Sequence, residues 1–137
     1  GLQAIRRLTG VPVAADESVR SLEDARLVLK HAAADFINVK IMKTGLLEAF
    51  QIAQFARNAG FGLMVGGMVE TRIAMGCSFS LVLGMAGFKI LDLDTPLLLA
   101  QDPVMGGYRY EGPKLQPWQH AGLDLTVPCP ADAIVVR

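Results

Sequence analysis

The sequence predicts an α/β protein made of βα units on a parallel sheet, and three observations carry that prediction. Short apolar runs alternate with longer segments of helical period. The unit recurs at a spacing of roughly 25 residues. Each apolar run ends in polar residues. Such recurrence suits half of a TIM-type (β/α) barrel, which needs about 250 residues in all, in a chain of 137. A doubly wound sheet is the alternative. Its phosphate loop should be visible, but Gly60-Phe61-Gly62-Leu63-Met64-Val65 puts Val where the third glycine belongs.

The first strand is placed at residues 12–15, ending in Asp16-Glu17-Ser18. Ser21, with Asp24 three residues on, then opens a helix to about residue 33. The second strand spans 36–41, followed by Met42-Lys43-Thr44-Gly45 and a helix through Leu46, Phe50, Ala53 and Ala56 to Gly60. The third is 61–65, leading through Gly66-Gly67-Met68-Val69-Glu70 into an apolar helix from about residue 71 to 85. The fourth is 89–91, ending in Asp92-Leu93-Asp94. After Pro96 the pattern changes: residues 106–112 read as a short hairpin, and residues 122–137 have no helical period. The expected organisation is one partial barrel domain over 1–125 with a C-terminal tail over 126–137.

Hydrophobic residues make up 52% of the chain, enough to fill a core, and thirteen basic residues balance thirteen acidic ones. No basic stripe stands out, so no nucleic-acid partner is expected. The longest uncharged stretch, 73–88, is short of the roughly 20 residues a membrane span needs and reads as a buried helix. Cys77 and Cys129 form neither a disulfide framework nor a metal pattern, which fits a reducing cytoplasmic setting. No signal peptide is visible and the first Met is Met42, so the chain is expected to begin inside a longer reading frame.

Polar residues stand at the C-terminal end of every predicted strand: Asp16 and Glu17, Lys40 and Lys43, Glu70, then Asp92 and Asp94. In a (β/α) barrel that rim carries the active site. Strand alternation puts Asp16 with Ala14, Lys40 with Asn38, and Asp94 with Asp92 and Ile90, all able to face the axis. Lys40, flanked by Val39 and Ile41, is costly there unless neutral or paired; nearby cationic charge would lower its pKa into a range useful for proton transfer. Asp16 offers the hard oxygen that Mg²⁺ prefers. Asp92 and Asp94, about 6–7 Å apart along an extended strand, can straddle an ammonium group. Glu70 precedes the uncharged helix and is expected to favour its N-terminal dipole. His31 and His120 read as structural or solvated, and Met75, Cys77 and Met85 as core.

Four motifs in order, Pro12-Val13-Ala14-Ala15-Asp16-Glu17-Ser18, Asn38-Val39-Lys40-Ile41-Met42-Lys43-Thr44-Gly45, Gly67-Met68-Val69-Glu70-Thr71 and Asp92-Leu93-Asp94-Thr95-Pro96, resemble late-barrel motifs of the muconate-lactonizing subgroup of the enolase superfamily. The Asp-x-Asp is similar to that of L-Ala-D/L-Glu dipeptide epimerases. The resemblance spans residues 2–125. It implies strands five to eight of the barrel, with Asp16 as the third Mg²⁺ ligand and Lys40 as the acid/base on one face of the substrate's α-carbon. Asp92 and Asp94 would bind the dipeptide's ammonium group, with Glu17, Lys43 and Glu70 as possible supports around them. The implied reaction removes and returns the proton α to a carboxylate through an enediolate. The family's Lys-x-Lys, two further metal carboxylates and lid domain have no counterpart here, so the chain alone is expected to be inactive and to bind Mg²⁺ weakly. The alternatives are another racemase or cycloisomerase of the superfamily, or a catalytically silent half-barrel that self-associates. As partners, a small dipeptide substrate is expected, together with a homo-oligomer or a complementing N-terminal half.

Overall fold

The protein is described by a computed structural model over residues 1–117 and 122–126. The elements in order are α1 (Leu2–Thr9), β1 (Ala14–Ala15), α2 (Leu22–Lys30), β2 (Phe36–Val39), α3 (Ile41–Thr44), α4 (Leu46–Asn58), β3 (Gly62–Val65), α5 (Arg72–Met85) and β4 (Phe88–Leu91). A 3-10 turn (Thr95–Leu98) follows, then β5 (Met105–Gly106), β6 (Tyr108–Glu111), β7 (Lys114–Pro117) and β8 (Leu125–Thr126).

Strands β1 to β4 form one parallel sheet in chain order, with Ala14 opposite Phe36, Asn38 opposite Met64 and Met64 opposite Ile90. A doubly wound sheet reverses its strand order at a switch point; the monotonic order here is that of a barrel segment. Alternation gives the sheet two faces. Ala15, Ile37, Val39, Leu63 and Val65 point one way and are buried. Ala15, Ile37, Val39 and Leu63 pack with Val28, Ala49, Ile52, Ala53, Ala56 and Leu81 from α2, α4 and α5. Each fully buried large side chain, Ile37 or Leu63 for example, contributes about 1.5–3 kcal/mol. The other face carries Ala14, Asn38, Met64 and Ile90, and Ile90 is 40% exposed.

Ser21 caps α2 as the sequence predicts, its hydroxyl accepting the Asp24 N–H at 3.1 Å. The helix ends at Lys30, earlier than expected, because Ala32 turns to φ 46°, outside helical geometry. Similarly, β2 stops at Val39 because Ile41–Thr44 coils into the single turn α3. Lys40 therefore stands at the strand's end, not within it. α1 was not expected: none of its residues is buried, and it is held by Arg6 to Asp35 at 2.8 Å. Among the described residues no helix is long and apolar enough to cross a membrane.

The expected hairpin lies later than its glycines suggest, with β6 and β7 antiparallel about Gly112-Pro113, while Gly106 pairs with Leu125 between β5 and β8. Residue 126 thus belongs to a paired strand. Residues 127–137, with Cys129, and His120 lie outside the described residues. Arg72 fastens this C-terminal segment to α5. Its guanidinium donates to the Tyr108 carbonyl at 2.6 Å and the Gly106 carbonyl at 3.2 Å, and lies 4.8 Å from the centre of the Tyr108 ring. The Arg72 N–H donates to Asp102 at 3.0 Å. Replacing Arg72 by alanine is expected to cost about 2–3 kcal/mol, since buried carbonyls lose a charged donor. Urea unfolding measures it; a loss within 0.5 kcal/mol, the usual surface range, would mean that the segment docks without Arg72.

Candidate active site

The ends of β1 and β2 bring the predicted rim residues together. Lys40 Nζ lies 2.9 Å from Asp16 Oδ2 and 2.9 Å from Glu17 Oε1. Lys43, carried inward by α3, donates to Asp16 Oδ1 at 3.1 Å and to the carbonyls of Asp16 at 2.6 Å and Asn38 at 3.0 Å. Asn38 Nδ2 donates to Asp16 Oδ2 at 2.9 Å. Both oxygens of Asp16 are thereby oriented. A side chain at Gly66, next on the same face of β3, would begin 2.9 Å from Asn38 Oδ1 and 3.3 Å from Lys40 Cε, so glycine leaves the room these groups occupy.

Burial acts to raise the Asp16 pKa, but hydrogen bonds from Lys40 and Lys43 outweigh it and hold the carboxyl below its usual range. Glu17 is lowered chiefly by its bond to Lys40. Lys40 does not follow the sequence expectation. Burial pulls its pKa down, yet the bonds to Asp16 and Glu17 carry it above the ordinary lysine value. The lowered lysine is Lys43, where burial exceeds what Asp16 returns.

Asp92 and Asp94 lie at the end of β4, but not as an extended pair. The ladder continues one bond past the strand, from the Asp92 N–H to the Val65 carbonyl at 2.9 Å, and Asp94 has already turned, at φ −98° and ψ −4°, to start the 3-10 turn. The Asp92 carboxyl is pushed up by burial, and further by hydrogen bonding with Asp94 and its negative charge. Together the pair is an anionic patch suited to a cation. It borders a cleft of about 680 Å³ whose remaining wall is largely apolar, including Leu83, Leu91 and Leu97; Asp16, Lys40 and Lys43 do not line it.

Glu70 stands two residues before α5. It does not cap α5, whose first N–H is taken by Asp102; its carboxylate is buried and accepts the Met68 N–H at 3.3 Å. His31 is exposed at the end of α2, as expected. Met75 and Met85 are core, while Cys77 is only partly buried. Asn38 was not singled out as a site residue. A polar side chain two positions before Lys40, on the same strand face, was the available signal.

Residues 1–129 match the family described as Enolase C-terminal domain-like. The chain belongs to that family. This enolase-like chain is 53% identical over 103 residues to an L-Ala-D/L-amino acid epimerase of Populus trichocarpa, covering 75% of the chain and 24% of the relative. It superposes with TM-score 0.88 and 40% identity on a mandelate racemase/muconate lactonizing protein from Herpetosiphon aurantiacus, covering 95% of the chain and 37% of that structure. A dipeptide epimerase from Cytophaga hutchinsonii, solved with Mg and the dipeptide D-Ala-L-Val, gives TM-score 0.86 and 31% identity over 93% of the chain and 35% of that structure. The chain thus spans about a quarter to a third of the relatives it matches. Its four-stranded sheet is a segment of the TIM-type barrel that such proteins share.

Proposed function

We propose that the chain forms the C-terminal half of the barrel of a Mg²⁺-dependent dipeptide epimerase. The observation that carries the reading is the rim itself, where Asp16, Lys40 and the Asp92–Asp94 pair follow the first, second and fourth strands of one parallel sheet. The names of the relatives, epimerases of dipeptides among them, support the same class.

Asp16 is ionised and its carboxylate is partly exposed, as a hard ligand should be. Among the described residues no three His, Cys, Asp or Glu side chains converge, so Asp16 fits as one ligand of a set completed by other parts of the enzyme. When bound, Mg²⁺ would supply positive charge to the substrate's carboxylate as the α-proton leaves. Asn38 and Lys43 hold Asp16 in orientation. Lys40, charged through Asp16 and Glu17, is set to deliver a proton to one face of the α-carbon; in the reverse direction its neutral amine takes that proton and the electron pair delocalises as an enediolate. Epimerisation needs a second base on the opposite face, which the rest of the enzyme would provide. Asp92 and Asp94 grip the dipeptide's ammonium group and so fix which end of the substrate faces Lys40.

The test is the complete reading frame, assayed by NMR in D₂O for deuterium uptake at the α-carbon of both dipeptide epimers. Uptake from neither epimer of a panel of dipeptides would overturn the reading. Asp94→Asn is expected to raise KM about tenfold with a smaller change in kcat, because it weakens ammonium binding more than proton transfer.

A further inference from the structure

Three elements converge on the missing side chain of Gly67. A Cβ there would lie 2.5 Å from Met75 Cε on α5, 2.6 Å from Glu70 Oε1 and 2.7 Å from Thr95 Oγ1 at the start of the 3-10 turn. These separations are inside van der Waals contact, so only glycine lets loop, helix and turn close on one another. Two of the three groups are polar, and each holds a buried atom without a partner: Glu70 Oε2 and Thr95 Oγ1. Glu70 as a whole is 4% exposed. Buried polar atoms are nearly always satisfied. Neither group bonds the other directly, and a single internal water between them would satisfy both.

The charges around Glu70 do not pair it. Lys40, the cation that acts on it, is engaged by Asp16 and Glu17, and the other groups that face Glu70 are the Met68 N–H and the Cys77 thiol of α5. Burial raises its carboxyl above the usual range, against smaller opposing effects of the Met68 N–H and Lys40. The Thr95 hydroxyl both donates and accepts, so a bridging water can join it to Glu70 in either protonation state.

We propose that Glu70 and Thr95 form a buried, water-bridged latch beside Gly67, tying the loop after β3 to the turn after β4 and fixing where Asp92 and Asp94 stand. Glu70 is then a positioning residue for the ammonium-binding pair. That role rests on the proposed function; the latch itself does not. Its test therefore has two arms.

In the first arm, thermal unfolding of the 137-residue chain is compared for wild type, Thr95→Val, Glu70→Leu and the double variant. Each single change strands a partner, so the Tm losses should combine to less than their sum. Additive losses would overturn the latch. Glu70→Gln adds a pH readout: a carboxyl whose folded pKa exceeds its unfolded value stabilises the fold at low pH and loses that effect as pH rises through the folded value. The Glu70 contribution to Tm should be lost as pH rises above the usual glutamate range, and Glu70→Gln should remove that part of the slope. In the second arm, Thr95→Val and Glu70→Leu in the complete enzyme should raise the dipeptide KM about tenfold with kcat changed less than about threefold, and Glu70→Gln should restore KM toward wild type. Coupled Tm losses with an unchanged KM would overturn the positioning role. A complete wild-type enzyme without dipeptide activity would instead remove the proposed function, and the coupling in the first arm would still decide the latch.

Discussion

Lys40→Ala in the complete enzyme is expected to slow exchange of the substrate α-proton by about 10²–10⁴-fold, the range general acid–base groups supply. The ammonium sits at the end of β2 with two carboxylates at 2.9 Å, and no other lysine of the chain is placed to replace it: Lys43 is committed to Asp16 and to two carbonyls. On the proposed mechanism, in which Lys40 serves one face, the loss should be unequal. Deuterium uptake from one epimer should nearly vanish, while the other still exchanges at the second base. Undiminished uptake from both epimers would remove Lys40 from the mechanism. Lys40→Arg should not restore the rate, since a guanidinium cannot give up its proton in this range.

The isolated chain should associate in solution, with the associated form gaining as concentration rises. Its parallel sheet ends at β1 and β4, and each edge leaves a row of backbone N–H and C=O groups unpaired in the sheet. Parallel sheets are normally covered on both faces, yet Ile90 is 40% and Leu91 57% exposed on β4, and Ala14 is exposed on β1. Two chains joined edge to edge would supply eight parallel strands, the number that closes a TIM barrel, and a two-fold pairing would cover both inner faces at once. In a protein of the relatives' full length, the rest of the barrel would cover the same edges. Size-exclusion chromatography with light scattering at several concentrations decides between association and a monomer. A single 14.7 kDa species whose unfolding is independent of concentration would show that the exposed edges are tolerated. Adding the complementary N-terminal portion should shift the chain from self-association to a mixed complex.

By itself the sequence determined the layered plan. Strand alternation put Asn38 and Lys40 on one face, and the structure buries Ile37, Val39, Leu63 and Val65 on the other, because the pleat leaves a side chain no choice of side. The Ser21 cap was legible for the same local reason: the hydroxyl and the N–H it bonds are three residues apart. Only the tertiary structure decided the electrostatics. Whether Lys40 is raised or lowered depends on how close Asp16, Glu17 and Lys43 come after the chain has folded, and Coulomb energies change steeply over those few ångströms. The same holds for Glu70, whose burial comes from Gly67, Met75 and Thr95 closing around it, and for α5, whose first N–H is taken by Asp102, thirty residues away. Asp94 departs from the extended geometry because a 3-10 turn begins there, so the spacing of the aspartate pair was set by the turn and not by the strand. Local patterns fix which way a side chain points; the partners it meets are fixed by packing between segments distant in the chain.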